Sequence, residues 1–144
     1  MKCLLRSVCI LLVIAMMFAI PVSAEEQSQR SSAYFGVLKT YITRPSDTQI
    51  QIWFDVTGKE RMDTIGVNEI KLQRSVNNAT WTTIKTYTPD DYPQMLENNT
   101  VSCANYVPYT GSMYYYYRAH VTFYAKKGTG WGEMYLYTSP IRLD

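Results

Sequence analysis

The chain holds 144 residues with a formal charge of +2, one histidine, three cysteines and 13 tyrosines. That length suits one ordinary domain and excludes a full (β/α)8 barrel, which takes roughly 250 residues. So small a charge gives no argument for a nucleic-acid partner, since charge speaks to association rather than to fold.

Residues 1–24 (MKCLLRSVCILLVIAMMFAIPVSA) have the pattern of an export signal. Lys2 and Arg6 supply a positive start, the stretch 8–20 is almost wholly apolar, and Val22-Ser23-Ala24 offers small residues for cleavage. The apolar run is shorter than the ~20 residues of a bilayer-spanning helix. A retained anchor is the competing reading. Cleavage after Ala24 removes Lys2 and Arg6, leaving basic and acidic side chains equal in number, so the +2 belongs to the signal. It also removes Cys3 and Cys9 and leaves Cys103 alone, so no intrachain disulfide is expected in the secreted form. The core must then hold the domain together, and a burial role is the expectation for Cys103.

Residues 25–32 (EEQSQRSS) read as a flexible polar leader, and 33–144 as one domain. A first strand is expected over 34–42. Residues 48–56 (TQIQIWFDV) alternate Ile50, Ile52, Phe54 and Val56 with Gln51, Trp53 and Asp55, the period of a sheet with one buried face. Thr57-Gly58-Lys59 is expected to end this strand. Residues 67–75 repeat the alternation, with Ile70 and Leu72 inside. Asn77-Asn78 then predicts a turn into 81–88 (WTTIKTYT), where the differing parity of Trp81 and Ile84 predicts a bulge.

In 89–99 (PDDYPQMLENN) a short helical crossover is expected, capped by Asp91, with Pro93 in its first turn and Met95 and Leu96 beneath it. A short strand over 100–106 holds Cys103. Two strong strands close the chain, 113–125 (MYYYYRAHVTFYA) and 132–143 (GEMYLYTSPIRL), joined by a glycine turn in KKGTG. The sum is an all-β fold, an antiparallel β-sandwich of about seven strands.

The chain resembles a fibronectin type III or immunoglobulin-like domain over about 48–143. The resemblance rests on Ile50-x-Ile52-x-Phe54, on the turn from Ser75 to Trp81, and on Tyr115-x-Tyr117-Arg118-Ala119-x-Val121, which is similar to a penultimate strand with its tyrosine corner. Thr138-Ser139-Pro140 after the glycine turn fits the closing strand. Two features depart from the pattern: Phe54 stands where a tryptophan is usual, with Trp53 displaced by one, and the 91–99 insertion replaces a plain crossover. The segments IWFDVTG, IKLQRS, TW-x-x-IKTYTP and YYYRA also resemble a group of small signal-bearing secreted proteins of Gram-positive anaerobes. That resemblance implies an exported single domain and no particular activity.

Catalytic signals are sparse. His120 has outward parity and sits in no motif, and a triad would need it beside a nucleophile and an acid. Cys103 lies in no recognised arrangement, and no zinc spacing is present. Asp90, Asp91 and Glu97, or Glu60 and Asp63, read as solvated turn carboxylates before they read as calcium ligands. KKGTG follows a strand and opens no helix, so it is no phosphate loop. The sequons Asn78-Ala79-Thr80 and Asn98-Asn99-Thr100 go unused if the host is bacterial. No cofactor is expected.

The functional expectation rests on tyrosine, all of which lies beyond residue 24. With Tyr117, Ala119, Val121 and Phe123 inward, Tyr114, Tyr116, Arg118, His120, Thr122 and Tyr124 face outward. On the last strand Met134 and Leu136 go inward, which leaves Glu133, Tyr135 and Tyr137 outside, and Trp131 stands at the rim. Neighbouring strands would set these side by side. The expected site is Tyr116, Arg118, His120, Trp131, Tyr135 and Tyr137. The leading expectation is a secreted, non-enzymatic extracellular module that binds a protein or cell-surface component, with no nucleic acid and no membrane span after processing. The alternatives are a carbohydrate-binding module using Tyr116, Trp131, Tyr135 and Tyr137, a secreted hydrolase or inhibitor, or tyrosines that only satisfy strand propensity. Coplanar rings in a shallow groove would favour glycan, and a patch rimmed by charge would favour a protein.

Overall fold

The computed structural model describes residues 33–144; the proposed signal, 1–24, and the leader, 25–32, lie outside the described residues. Seven strands follow in order: β1 (Phe35–Ser46), β2 (Gln49–Ser75), β3 (Thr82–Tyr87), β4 (Leu96–Thr110), β5 (Tyr116–Lys127), β6 (Gly130–Tyr137) and β7 (Ile141–Arg142). Every pairing among them is antiparallel. The sheet curls into a half-barrel and is consistent with an immunoglobulin-like or fibronectin type III-like β-sandwich.

The two leaves of the sandwich share one strand. The first part of β2 lies between β1 and the end of β4, where Tyr41, Trp53 and Tyr106 stand in one register row. Its last part lies between β3 and β5, and β5 carries β6 and β7. Thr57-Gly58-Lys59 therefore does not end the strand as expected. Between Thr57 and Met62 the ladder with β4 slips, from Thr57↔Ser102 to Met62↔Thr100, and the chain turns the corner while still extended. A bulge changes twist and direction without breaking a strand.

Alternation positions the core. Ile50, Ile52, Phe54 and Val56 from one leaf join Ile70, Leu72, Tyr117, Ala119, Val121 and Phe123 from the other in a single buried cluster. One extra residue, Asn68, lies between the Val67↔Phe123 and Glu69↔Thr122 pairs, which lets both Val67 and Ile70 point inward despite their unlike parity. A second slip between Leu72↔Lys85 and Gln73↔Thr83 is the bulge expected in β3. Each fully buried aliphatic or aromatic side chain here contributes about 1.5–3 kcal/mol through lost water contact.

Turns follow their chemistry. Asn78 takes φ 56°, while Asn77 Oδ1 accepts from the backbone N–H groups of Ala79 (3.0 Å) and Thr80 (2.9 Å). Gly128, at φ 57°, opens the two-residue turn between Lys127 and Gly130, as a primed hairpin requires. The tyrosine corner is present: Tyr117 Oη donates to the Ser112 carbonyl (2.9 Å) and accepts from the Ser112 N–H (2.8 Å).

Other boundaries differ from expectation. The crossover helix shrinks to a 3-10 turn, Pro93–Met95, with Pro93 in its first turn and Met95 buried. Tyr92, not Asp91, precedes it, and no side chain caps it. Leu96 already belongs to β4, which is far longer than the stretch expected around Cys103. The strand expected from Met113 starts at Tyr116, because Tyr114 turns away at φ 70°. The strand expected over 132–143 breaks after Tyr137, where Pro140 has no N–H to give the ladder. Thr138 holds the break by pairing its backbone N–H with the Ala119 carbonyl (2.9 Å) and accepting from the Ala119 N–H at its hydroxyl (2.9 Å).

Candidate functional site

The outer face of the second leaf is set by the two-residue period of β5. Tyr116, Arg118 and His120 alternate with buried Tyr117, Ala119 and Val121. β6 lies alongside, pairing His120 with Tyr137 and Thr122 with Tyr135. On the other flank β2 pairs Lys71 with His120 and Glu69 with Thr122.

Four of the six expected residues form one cluster. The His120 ring lies 4.8 Å from Tyr137 and 5.1 Å from Tyr135, and these two tyrosines meet edge to face at 6.3 Å and 85°. Arg118 places its guanidinium 4.8 Å from the Tyr137 ring and 4.4 Å from Trp81, while its Nε donates to Gln73 Oε1 (2.8 Å). Tyr135 and Tyr137 remain 64% and 51% exposed. Trp131 stands beyond Glu133 and lies near-parallel to Tyr124 at 6.4 Å. Tyr116 lies at the β7 end beneath Arg142, 5.4 Å away. Trp81 is the member that strand parity missed, because it precedes β3 and has no register of its own.

Electrostatics rim the cluster. Glu69 pairs with Lys71 (2.9 Å), and Asn68 donates to Glu133 Oε1 (2.9 Å). An open groove of about 540 Å³ is lined by Asn68, Glu69, Thr122 and Glu133 together with Thr88 and Asp90. Burial pushes the His120 pKa down, Lys71 and Arg118 push it the same way, and Glu69 opposes them. His120 Nδ1 is closed off from solvent and has no partner among the described residues.

The outer face of the first leaf carries a second patch, which the sequence reading did not single out. Tyr41, Trp53 and Tyr106 stand side by side on β1, β2 and β4. Tyr41 and Trp53 are parallel within 9° at 6.1 Å, and Trp53 meets Tyr106 at 4.7 Å and 37°. The outward parity of Trp53 was legible, but its neighbours depended on strand order. This exposed patch is consistent with a ligand-binding, non-catalytic module.

Cys103 points into the core, its Sγ facing the carbonyls of Met95 (3.7 Å) and Gln94 (3.9 Å), and burial pushes its thiol pKa up to about 12. It forms no pair with His120, which faces out of the other leaf. Among the described residues no three His, Cys, Asp or Glu side chains gather as metal ligands, and no helix is long and apolar enough to cross a membrane. No protein-family model, curated protein or solved structure matches this chain. The fold itself is antiparallel and compatible with the immunoglobulin-like and fibronectin type III-like architecture.

Proposed function

We propose that the chain is a secreted, non-enzymatic module that binds a protein at the cell surface through the outer face of β5 and β6. The observation that carries the reading is the cluster of Tyr135, Tyr137, His120, Arg118 and Trp81, two of whose rings are more than half exposed on a rigid sheet. Tyrosine, tryptophan and arginine offer large contact area at low entropy cost and dominate protein interfaces. Lys71, Glu69 and Glu133 supply a charged rim.

The perpendicular setting of Tyr135 and Tyr137 favours a protein partner over a sugar at this face. A flat pyranose needs coplanar support, whereas two rings at 85° form a notch that accepts a side chain. The pattern of residues 1–24 supports export. The reading is tested by probing protein and glycan arrays with the chain and with Tyr135→Ala and Tyr137→Ala. A protein ligand lost in both variants supports it, and binding unchanged in both refutes it.

A further inference from the structure

Among the described residues β1, β3, β4 and β6 are edge strands, each paired along one side. An edge strand offers a row of free N–H and C=O groups, which lysine, proline and bulges blunt. β1 holds Lys39, Pro45 and two register slips, β3 holds Lys85, and β4 holds Pro108. β6 (GWGEMYLY) has neither lysine nor proline and keeps one unbroken register with β5. We propose that β6 is the seam of a homodimer, pairing antiparallel with β6 of a second copy about a two-fold axis through Met134.

The hairpin fixes which backbone groups are available. Lys127↔Gly130 closes its two-residue turn, and at its far end the Thr138 N–H donates to the Ala119 carbonyl (2.9 Å). In an antiparallel strand the N–H and C=O of one residue point to one side, and the side alternates along the chain. Gly132, Met134 and Leu136 therefore bond to β5. Trp131, Glu133, Tyr135 and Tyr137 hold theirs toward the free edge, where no described strand pairs with them.

β6 is complementary to its own reverse, which selects a second copy as the occupant. With the axis at Met134, the residues that face each other are those whose backbone groups are free, giving about eight new hydrogen bonds. On the outer face Trp131 meets Tyr137 of the second copy, and Glu133 meets its Tyr135. Directly opposed aromatic pairs stabilise a ladder, and like charges opposed would weaken it. Centring on Glu133 would set two carboxylates face to face. Centring on Tyr135 would shorten the ladder and leave Trp131 opposite Ser139, past the end of β6.

The inner face agrees with the same register. Met134 and Leu136 face the core from β6 yet stay only partly buried, while Phe123 and Val121 beside them on β5 are fully buried. The second copy lays its Met134 against Met134 and gives Leu136 the space over its Gly132. An isologous contact of this kind closes on itself, so it stops at two copies. It leaves the outer face of β5 and β6 open on both.

The test is sedimentation velocity of the full chain over about a hundredfold dilution. The expected result is a dimer that dissociates as the chain is diluted. Glu133→Pro removes an edge N–H without touching the β5 ladder, and should weaken the dimer at least tenfold. Tyr135→Glu and Tyr135→Lys lose the same ring but set opposite charges against Glu133 of the second copy. The lysine variant should dimerise about tenfold more tightly than the glutamate variant, with the gap narrowing in high salt. Matching melting temperatures of the diluted variants exclude misfolding as the cause. A monomer at every concentration, a Glu133→Pro dimer as tight as the parent, or equal dimerisation of the two Tyr135 variants would overturn the proposal. No partner protein enters this measurement, so its failure and the failure of the protein-binding reading are scored separately.

Discussion

His120 carries the outer face of β5 with its Nδ1 shut away from solvent, Lys71 across the ladder and Arg118 two residues before it. Burial and both cations disfavour the imidazolium, against the single opposing charge of Glu69. The folded value therefore lies below the ordinary 6.5. Between the two values the unfolded chain binds more protons than the native one, so this contribution is whole above 6.5 and is lost as pH falls toward the folded value. His120→Phe keeps a ring between Tyr135 and Tyr137 and has nothing to protonate. Melting curves across that window should slope downward for the parent chain and flatten in the variant; equal slopes would remove His120 from the account. Tyr117 makes a second argument at this scale, since its hydroxyl both donates to and accepts from the Ser112 backbone. Tyr117→Phe should cost about 1–2 kcal/mol in urea unfolding, because it removes two hydrogen bonds and changes little else.

Among the elements, β2 decides the shape. It spans both leaves, and its passage depends on Gly66, where φ is 154° and a Cβ would collide with the carbonyl oxygen of Met95 and crowd Leu96 Cα. The 3-10 turn lies directly on that position. Gly66→Ala should therefore destabilise by about 2–4 kcal/mol, seen as a lowered urea midpoint, because backbone rather than a pliant side chain must yield. A midpoint shift below about 0.5 kcal/mol would mean the turn moves aside freely. This element also shows where sequence reading reaches its limit. Alternation at Ile50–Val56 and Tyr117–Phe123 gave each inward face, and Asn77-Asn78 and Gly128 gave their turns. The continuity of β2 was not legible, since Thr57-Gly58-Lys59 has turn composition while long-range pairing of Thr57 with β4 and of Gly58 with β1 keeps it extended. The early end of β6 was signalled by Pro140, but the expected strand ran through it.

At the scale of the whole molecule, the sandwich holds two aromatic surfaces back to back, with the core between them. Parity identified the Tyr135–Tyr137 face because both of its strands alternate cleanly and are neighbours in sequence. It missed the Tyr41–Trp53–Tyr106 row because Tyr106 lies more than fifty residues beyond Trp53 and comes beside it only through sheet order. Trp81 escaped for a related reason: it enters the cluster through the Arg118 guanidinium and not through a strand register. The central claim is that the β5–β6 face is a protein-binding surface. It is tested most directly by titrating the array-identified protein ligand against the parent chain and the Tyr135→Ala/Tyr137→Ala double variant. Removing two exposed anchors worth about 2 kcal/mol each should weaken binding by at least a hundredfold, with the melting temperature little changed. An affinity equal to that of the parent chain would contradict the claim.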